Sequence, residues 1–154
     1  MAGKTSSVHH VVWCVRPESL ERVRAFWQQQ VGIALHDLDL PDLGIHVLIS
    51  WEGGVEVISP VHATGALVAP VREFLATQGE GVYCVVFDVA SLDDVVARLS
   101  AAGVRKIFEE TITPDEVEER RLVAPGSPRF ALRQAAFDEI CGLRICLQEQ
   151  TRAK

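Results

Sequence analysis

Gly79-Glu80-Gly81-Val82-Tyr83-Cys84-Val85-Val86-Phe87-Asp88-Val89 is the stretch on which the fold of this chain turns. It leaves a glycine turn and continues as a strand whose side chains alternate. Val82, Cys84 and Val86 fall on one face, and Tyr83, Val85 and Phe87 on the other. A helix signal follows at once. Ser91 stands as N-cap, Asp93 and Asp94 place acidic charge in the first turn, Val95, Val96 and Leu99 recur at helical spacing, and Gly103 is the stop. The same order of parts opens the chain. The strand His9-His10-Val11-Val12-Trp13-Cys14-Val15 leads through Arg16-Pro17 into a helix carrying Leu20, Val23, Phe26 and Trp27, which ends near Gly32. One unit therefore occurs twice.

Working outward from the first copy, a strand is expected around Ile33 to His36. A polar turn with Pro41, Asp42 and Gly44 follows, and then a strand at Ile45 to Ser50. Gly53-Gly54 is a hairpin signal, and Val55-Glu56-Val57-Ile58 returns from it to close at Pro60. Residues 61–81 read as a linker with a short amphipathic helix at Val71, Phe74 and Leu75. In the second copy Val104 to Glu109 is a strand. The charged segment from Glu109 to Arg121, with Pro114, is expected as a loop that shapes a cleft. Strands near Arg121–Val123 and Phe130–Gln134 flank the turn Ala124-Pro125-Gly126-Ser127-Pro128. Gly142 introduces the last strand, Leu143 to Gln148. The fold class is thus α+β, with two β-α-β-β-β modules at 1–60 and 82–150 joined by 61–81 in one compact domain. Each helix covers one face of its sheet. The other faces are left to curl, as mixed sheets, around a central cleft suited to a small ligand.

A chain of 154 residues with 48% hydrophobic content has core enough for this plan. Its net charge of −6 argues against a nucleic-acid-binding surface, which needs clustered Lys and Arg. No apolar run reaches membrane-spanning length, and Met1 to Ser7 is short and polar, unlike a signal sequence. The expectation is a cytoplasmic protein without membrane or nucleic-acid partners. Cys14, Cys84, Cys141 and Cys146 form no Cys-x-x-Cys pair, so no zinc knuckle or thioredoxin-type site is indicated.

Alternation selects the side chains that face away from the helices. If Leu143, Ile145 and Leu147 pack on a helix, then Arg144, Cys146 and Gln148 point the other way. If Val55 and Val57 pack on a helix, Glu56 and Ile58 are turned inward. One inward candidate per strand results: His10, Glu56, Cys84 and Cys146. A carboxylate among Val55, Val57 and Ile58 calls for water, a cation or a donor.

The doubled unit, with His9-His10-Val11-Val12 opening one copy and Gly79-Glu80-Gly81-Val82-Tyr83-Cys84 the other, resembles the vicinal oxygen chelate superfamily. Glu56-Val57-Ile58-Ser59-Pro60, Arg72-Glu73-Phe74-Leu75 and the Gly-Glu-Gly run are similar in order and spacing to the methylmalonyl-CoA epimerases of that group. The resemblance implies isomerase or lyase chemistry of the glyoxalase and epimerase type on a small carbonyl or acyl substrate, and a homodimer. It also implies one metal ligand from each of four strands. Those positions fall on His10 and Glu56, where the family's residue types are kept. They also fall on Cys84 and Cys146, where a histidine and a glutamate are usual.

Three readings stay open. Cys84, Cys146, His10 and Glu56 make a set whose donor chemistry favours zinc among divalent ions, although four protein ligands would close the shell that catalysis needs open. Without a metal, Glu56 is the base with His10 as partner, and Arg144 binds substrate and stabilises an anion. Alternatively the chain is a non-catalytic binding protein of the bleomycin-resistance type, with Trp51 and Phe130 as candidate apolar walls.

Overall fold

An amphipathic helix and an alternating strand bury their apolar sides by packing on each other. The computed structural model, which describes residues 6–153, shows this packing twice. The chain divides into two compact units, residues 10–83 and residues 84 onward together with those up to 9. The expectation for Met1 to Ser7 lies outside the described residues except at Ser6 and Ser7.

In the first unit, β1 (Ser7–Cys14) leads through a single 3-10 turn, Pro17–Ser19, into α1 (Leu20–Ala25), which a π turn at Phe26–Val31 extends. Then come β2 (His36–Leu40), β3 (Ile45–Ser50), β4 (Val55–Ser59) and α2 (Val68–Thr77). The strand order is β2-β3-β4-β1, antiparallel except for the parallel β4–β1 pair. A parallel pair needs a crossover connection, which α1 supplies. Trp13, Leu20, Val23, Trp27 and Ile33 pack on buried Val15, Leu35, Leu48, Val55 and Val57, so α1 covers the face that alternation assigned to it. Gly32, left-handed at φ 82°, caps the helix while the Ile33 N–H donates to the Trp27 carbonyl at 2.9 Å.

Gly44 ties the β2–β3 turn to the approach of α2. Its carbonyl accepts from the His62 N–H, and the Leu43 carbonyl accepts from Leu67. It sits at φ 78°, and a Cβ there would collide with the Thr64 carbonyl, the Val68 side chain and Gly65. Gly44→Ala is therefore expected to cost about 2 kcal/mol or more, from the left-handed backbone and the steric clash together. Urea unfolding checks it, and a neutral substitution would show that the two segments are not held this closely.

In the second unit, β5 (Gly81–Asp88) is followed by α3 (Leu92–Ala101), β6 (Lys106–Ile112), α4 (Pro114–Glu119), β7 (Phe130–Phe137) and β8 (Ile145–Arg152). The order is β5-β8-β7-β6, with β5 and β8 parallel and the other pairs antiparallel. Ser91 caps α3 as expected, its hydroxyl accepting from the Asp94 N–H at 3.3 Å. The Leu92 N–H donates to Glu149 at 2.7 Å. Val95, Val96, Leu99, Phe87 and Ile145 pack on buried Val89, Leu92, Ala135, Phe137 and Leu147.

The fold class is α+β with two β-α-β-β-β modules, each built on a mixed sheet. Several local expectations are corrected. The strand placed at Ile33–His36 begins only at His36, because Ile33 and Leu35 are taken into the α1 core. The expected loop at Glu109–Arg121 is the end of β6 and then α4. Thr113 and Glu116 close a capping box there, and Pro114 takes the first helical turn, where its missing N–H costs nothing. No strand forms at Arg121–Val123, since Leu122 and Val123 pack beneath α4 with Ile112, Val117 and Leu132. Leu143 does not join the core; it lies exposed in the turn before β8, paired with Ile140. Among the described residues no helix is long and apolar enough to cross a membrane.

Candidate functional site

Each unit has a sheet face that its α1 or α3 helix does not cover. In the first unit the register sets Val12 beside Glu56, and Glu56 beside Ile49. His10, two residues before Val12, falls on the same face. His10 Nε2 lies 2.9 Å from Glu56 Oε2, with the two side chains 14% and 21% exposed. A carboxylate only accepts, so the histidine carries its proton on Nε2 and donates. This contact supplies the donor that a carboxylate between Val55 and Val57 requires.

The structure thus brings His10 and Glu56 together. Cys84, Cys146 and Arg144 belong to the second unit, where Cys146 stands beside Val86 on the face shared with Cys84. Cys84 is half-buried and Cys146 buried, its thiol directed weakly to the Leu147 carbonyl at 3.9 Å. The Arg144 carbonyl accepts from the Val85 N–H at 3.1 Å, which fixes the start of β8. Of the two aromatics considered as walls, Phe130 packs on the α4 cluster, while Trp51 stacks on His36.

On the same face of the second unit Gln148, which alternation turns away from the helix, belongs to a polar row whose other members the sequence does not show. Gln148, 4% exposed, donates to Asp88 at 2.9 Å. Beside it Gln134 donates to Glu110 at 3.0 Å, and Arg120 donates to the other Glu110 oxygen at 2.7 Å. Alternation along the last strand gives the face of Gln148. Glu110 and Gln134 were hidden because Glu110 had been placed in a loop, and the register joining them needs both strands.

On the helix-covered side of the first unit, Arg24 of α1 grips Asp37 with two bonds of 2.6 Å, and His46 Nε2 lies 2.8 Å from Asp37. The Arg24 fork, aided by His46 and opposed by burial, holds the Asp37 carboxyl below its ordinary 3.8, at about 2. A depressed carboxylate stabilises the fold above its ordinary value, and that contribution is lost as pH falls from about 3.8 through about 2. Urea midpoints followed from pH 5 to pH 2 are expected to fall more steeply in the wild type than in Arg24→Met. Parallel curves would remove the pair as a source of acid sensitivity.

A catalytic zinc site keeps three protein ligands and an open position. Among the described residues, neither unit groups three or more His, Cys, Asp or Glu side chains in a way that could hold a metal. The His10–Glu56 pair by itself supplies two donors, one short of such a centre.

No protein-family model matches the chain, and no protein of curated function matches its sequence. Solved structures do match. A hypothetical protein from Bacillus halodurans is similar over 98% of this chain and 99% of its own, at 20% identity and a TM-score of 0.68. A variant of Streptomyces coelicolor methylmalonyl-CoA epimerase, in complex with 2-nitronate-propionyl-CoA, is similar over 92% of this chain and 95% of its own, at 19% identity and 0.62. A mutant 4-hydroxymandelate synthase from Streptomyces coelicolor is similar over 99% of this chain and 52% of its own, at 18% identity and 0.66. The chain has the vicinal oxygen chelate fold. An epimerase and a synthase on one scaffold show that this fold does not select the reaction.

Proposed function

We propose that this chain is an enzyme of the vicinal-oxygen-chelate type that moves a proton at the carbon next to a carbonyl, with an acyl thioester or small ketone as substrate. The His10–Glu56 contact at 2.9 Å, on a sheet face walled by Val12 and Ile49, is the observation that carries the reading. The acyl thioester is favoured by the 2-nitronate-propionyl-CoA held in the Streptomyces coelicolor epimerase.

In the proposed step a Glu56 oxygen takes the α-proton. The C–H bond pair moves into the carbon–carbon bond and the carbonyl pair onto oxygen, giving an enolate. His10 holds the carboxylate in place beforehand. Once Glu56 is protonated, the Nε2–H is a donor for the developing oxyanion. Return of a proton to carbon completes exchange, or epimerisation when it returns to the opposite face. Arg144 is retained as the proposed anion stabiliser, and a homodimer is part of the same proposal. No step passes through a metal.

The test is incubation with propionyl-CoA and with butanone in deuterium oxide, followed by proton NMR. Loss of the α-hydrogen signal above the protein-free rate, unchanged by EDTA, is expected. Absence of exchange with both compounds overturns the reading. Exchange abolished by EDTA and restored by zinc overturns its metal-independence and favours a zinc site that includes Cys84 and Cys146.

A further inference from the structure

Beyond the His10–Glu56 pair, the uncovered face of the first unit carries an aromatic pair that proton transfer does not use. The His36 and Trp51 rings lie 4.6 Å apart between centroids and are tilted by 35°. His36 stands beside Ile49, which stands beside Glu56. Glu56 and His36 are therefore two strand spacings apart, about 10 Å. Trp51 lies in the turn just after β3, and its contact with the His36 ring sets it beside that face. The Gly54 carbonyl accepts from the Val11 N–H at 2.9 Å, which holds the same turn against β1. His36 is exposed, and Ile49 and Trp51 are half-buried, so the pair is not sealed within the core.

Trp51 occupies this position at a cost. Its Nε1 is buried with no hydrogen-bond partner among the described residues. A buried indole donor without an acceptor opposes folding, and nothing about hydrogen bonding explains the placement. A local rule broken beside a candidate site points to a functional use.

We propose that His36 and Trp51 form a stacking platform for a planar, π-bearing group of the substrate, held over Ile49 while the reacting carbon meets Glu56. The substrate class is then carbonyl compounds with an aryl or conjugated substituent adjoining the acidic carbon. A branched alkyl group cannot stack. The inference rests on the proton-transfer reading for where the reacting carbon lies.

Two probes of equal thioester chemistry test it: S-phenylacetyl-N-acetylcysteamine and S-propionyl-N-acetylcysteamine. Calorimetric titration of the wild type is expected to show the phenylacetyl probe binding about tenfold tighter, a difference of about 1.4 kcal/mol. Tryptophan emission is expected to be quenched only by that probe, because Trp13 and Trp27 lie in the α1 core. Trp51→Leu removes the preference and Trp51→Phe restores most of it. His36→Ala gives the same loss should Trp51→Leu fail to fold by circular dichroism. Equal affinities in the wild type, or an undiminished preference in both Trp51→Leu and His36→Ala, overturn the platform. A preference that persists in a wild type without α-proton exchange sinks proton transfer and leaves the platform standing.

Discussion

Glu56→Gln is expected to slow α-proton exchange by about 10²- to 10⁴-fold, the usual contribution of a positioned base, with the fold intact. Glutamine has the volume of glutamate, and its carbonyl oxygen can still accept from His10 Nε2–H, so the 2.9 Å contact survives the change. What disappears is the capacity to take a proton. His10→Ala provides the contrast. It leaves Glu56 ionisable but removes the donor beside it, so a carboxylate flanked by Val55 and Val57 must find water instead. That variant is expected to lose stability as well as rate, whereas Glu56→Gln loses rate alone. Exchange measured by NMR and urea midpoints measured by circular dichroism separate the two. Glu56→Gln retaining exchange within threefold of the wild type would mean that another group is the base.

The pair was legible from the chain because strand alternation has a period of two. Once Val55 and Val57 are given to the core, Glu56 has one face left, and His10 follows from Val11 and Trp13 in the same way. Alternation also placed Cys84 and Cys146 on a common face, as the register through Val86 bears out. It fixes the face of a side chain and says nothing about its neighbours two strands away, so the His36–Trp51 contact and the Gln134–Glu110 bond could not be read. Both depend on which strands pair and in what register, a long-range property. The α4 misreading has a different origin. Pro114 and a run of charge resemble a loop, but proline suits a first helical turn, and the Thr113–Glu116 capping box was present in the sequence. A local signal was outweighed by composition.

Phe137→Ala is expected to cost about 3–5 kcal/mol, the range for removing a fully buried aromatic ring. That is a large share of the 5–15 kcal/mol by which a domain is normally stable. Phe137 is 0% exposed and packs with Val89, Leu92, Ala135 and Leu147, at the meeting of α3 with the β7–β8 pair. The strand expected from the sequence ends near Gln134 and does not reach this ring. In fact β7 runs three residues further and delivers Phe137 to the core. Backbone pairing with Lys106 on one side holds the site open against collapse, so the cavity term adds to the lost burial. With a urea dependence of about 2 kcal/mol per molar, the midpoint should fall by about 2 M. The chain's 3 tryptophans, Trp13, Trp27 and Trp51, all lie in the first unit. Their emission therefore follows residues 10–83, while far-ultraviolet circular dichroism follows both units. The circular dichroism midpoint is expected to fall by the full amount, because α3 and β5–β8 lose their core directly. A shift below about 1 kcal/mol would contradict the burial of Phe137, and with it the extension of β7 that brings this ring beneath α3.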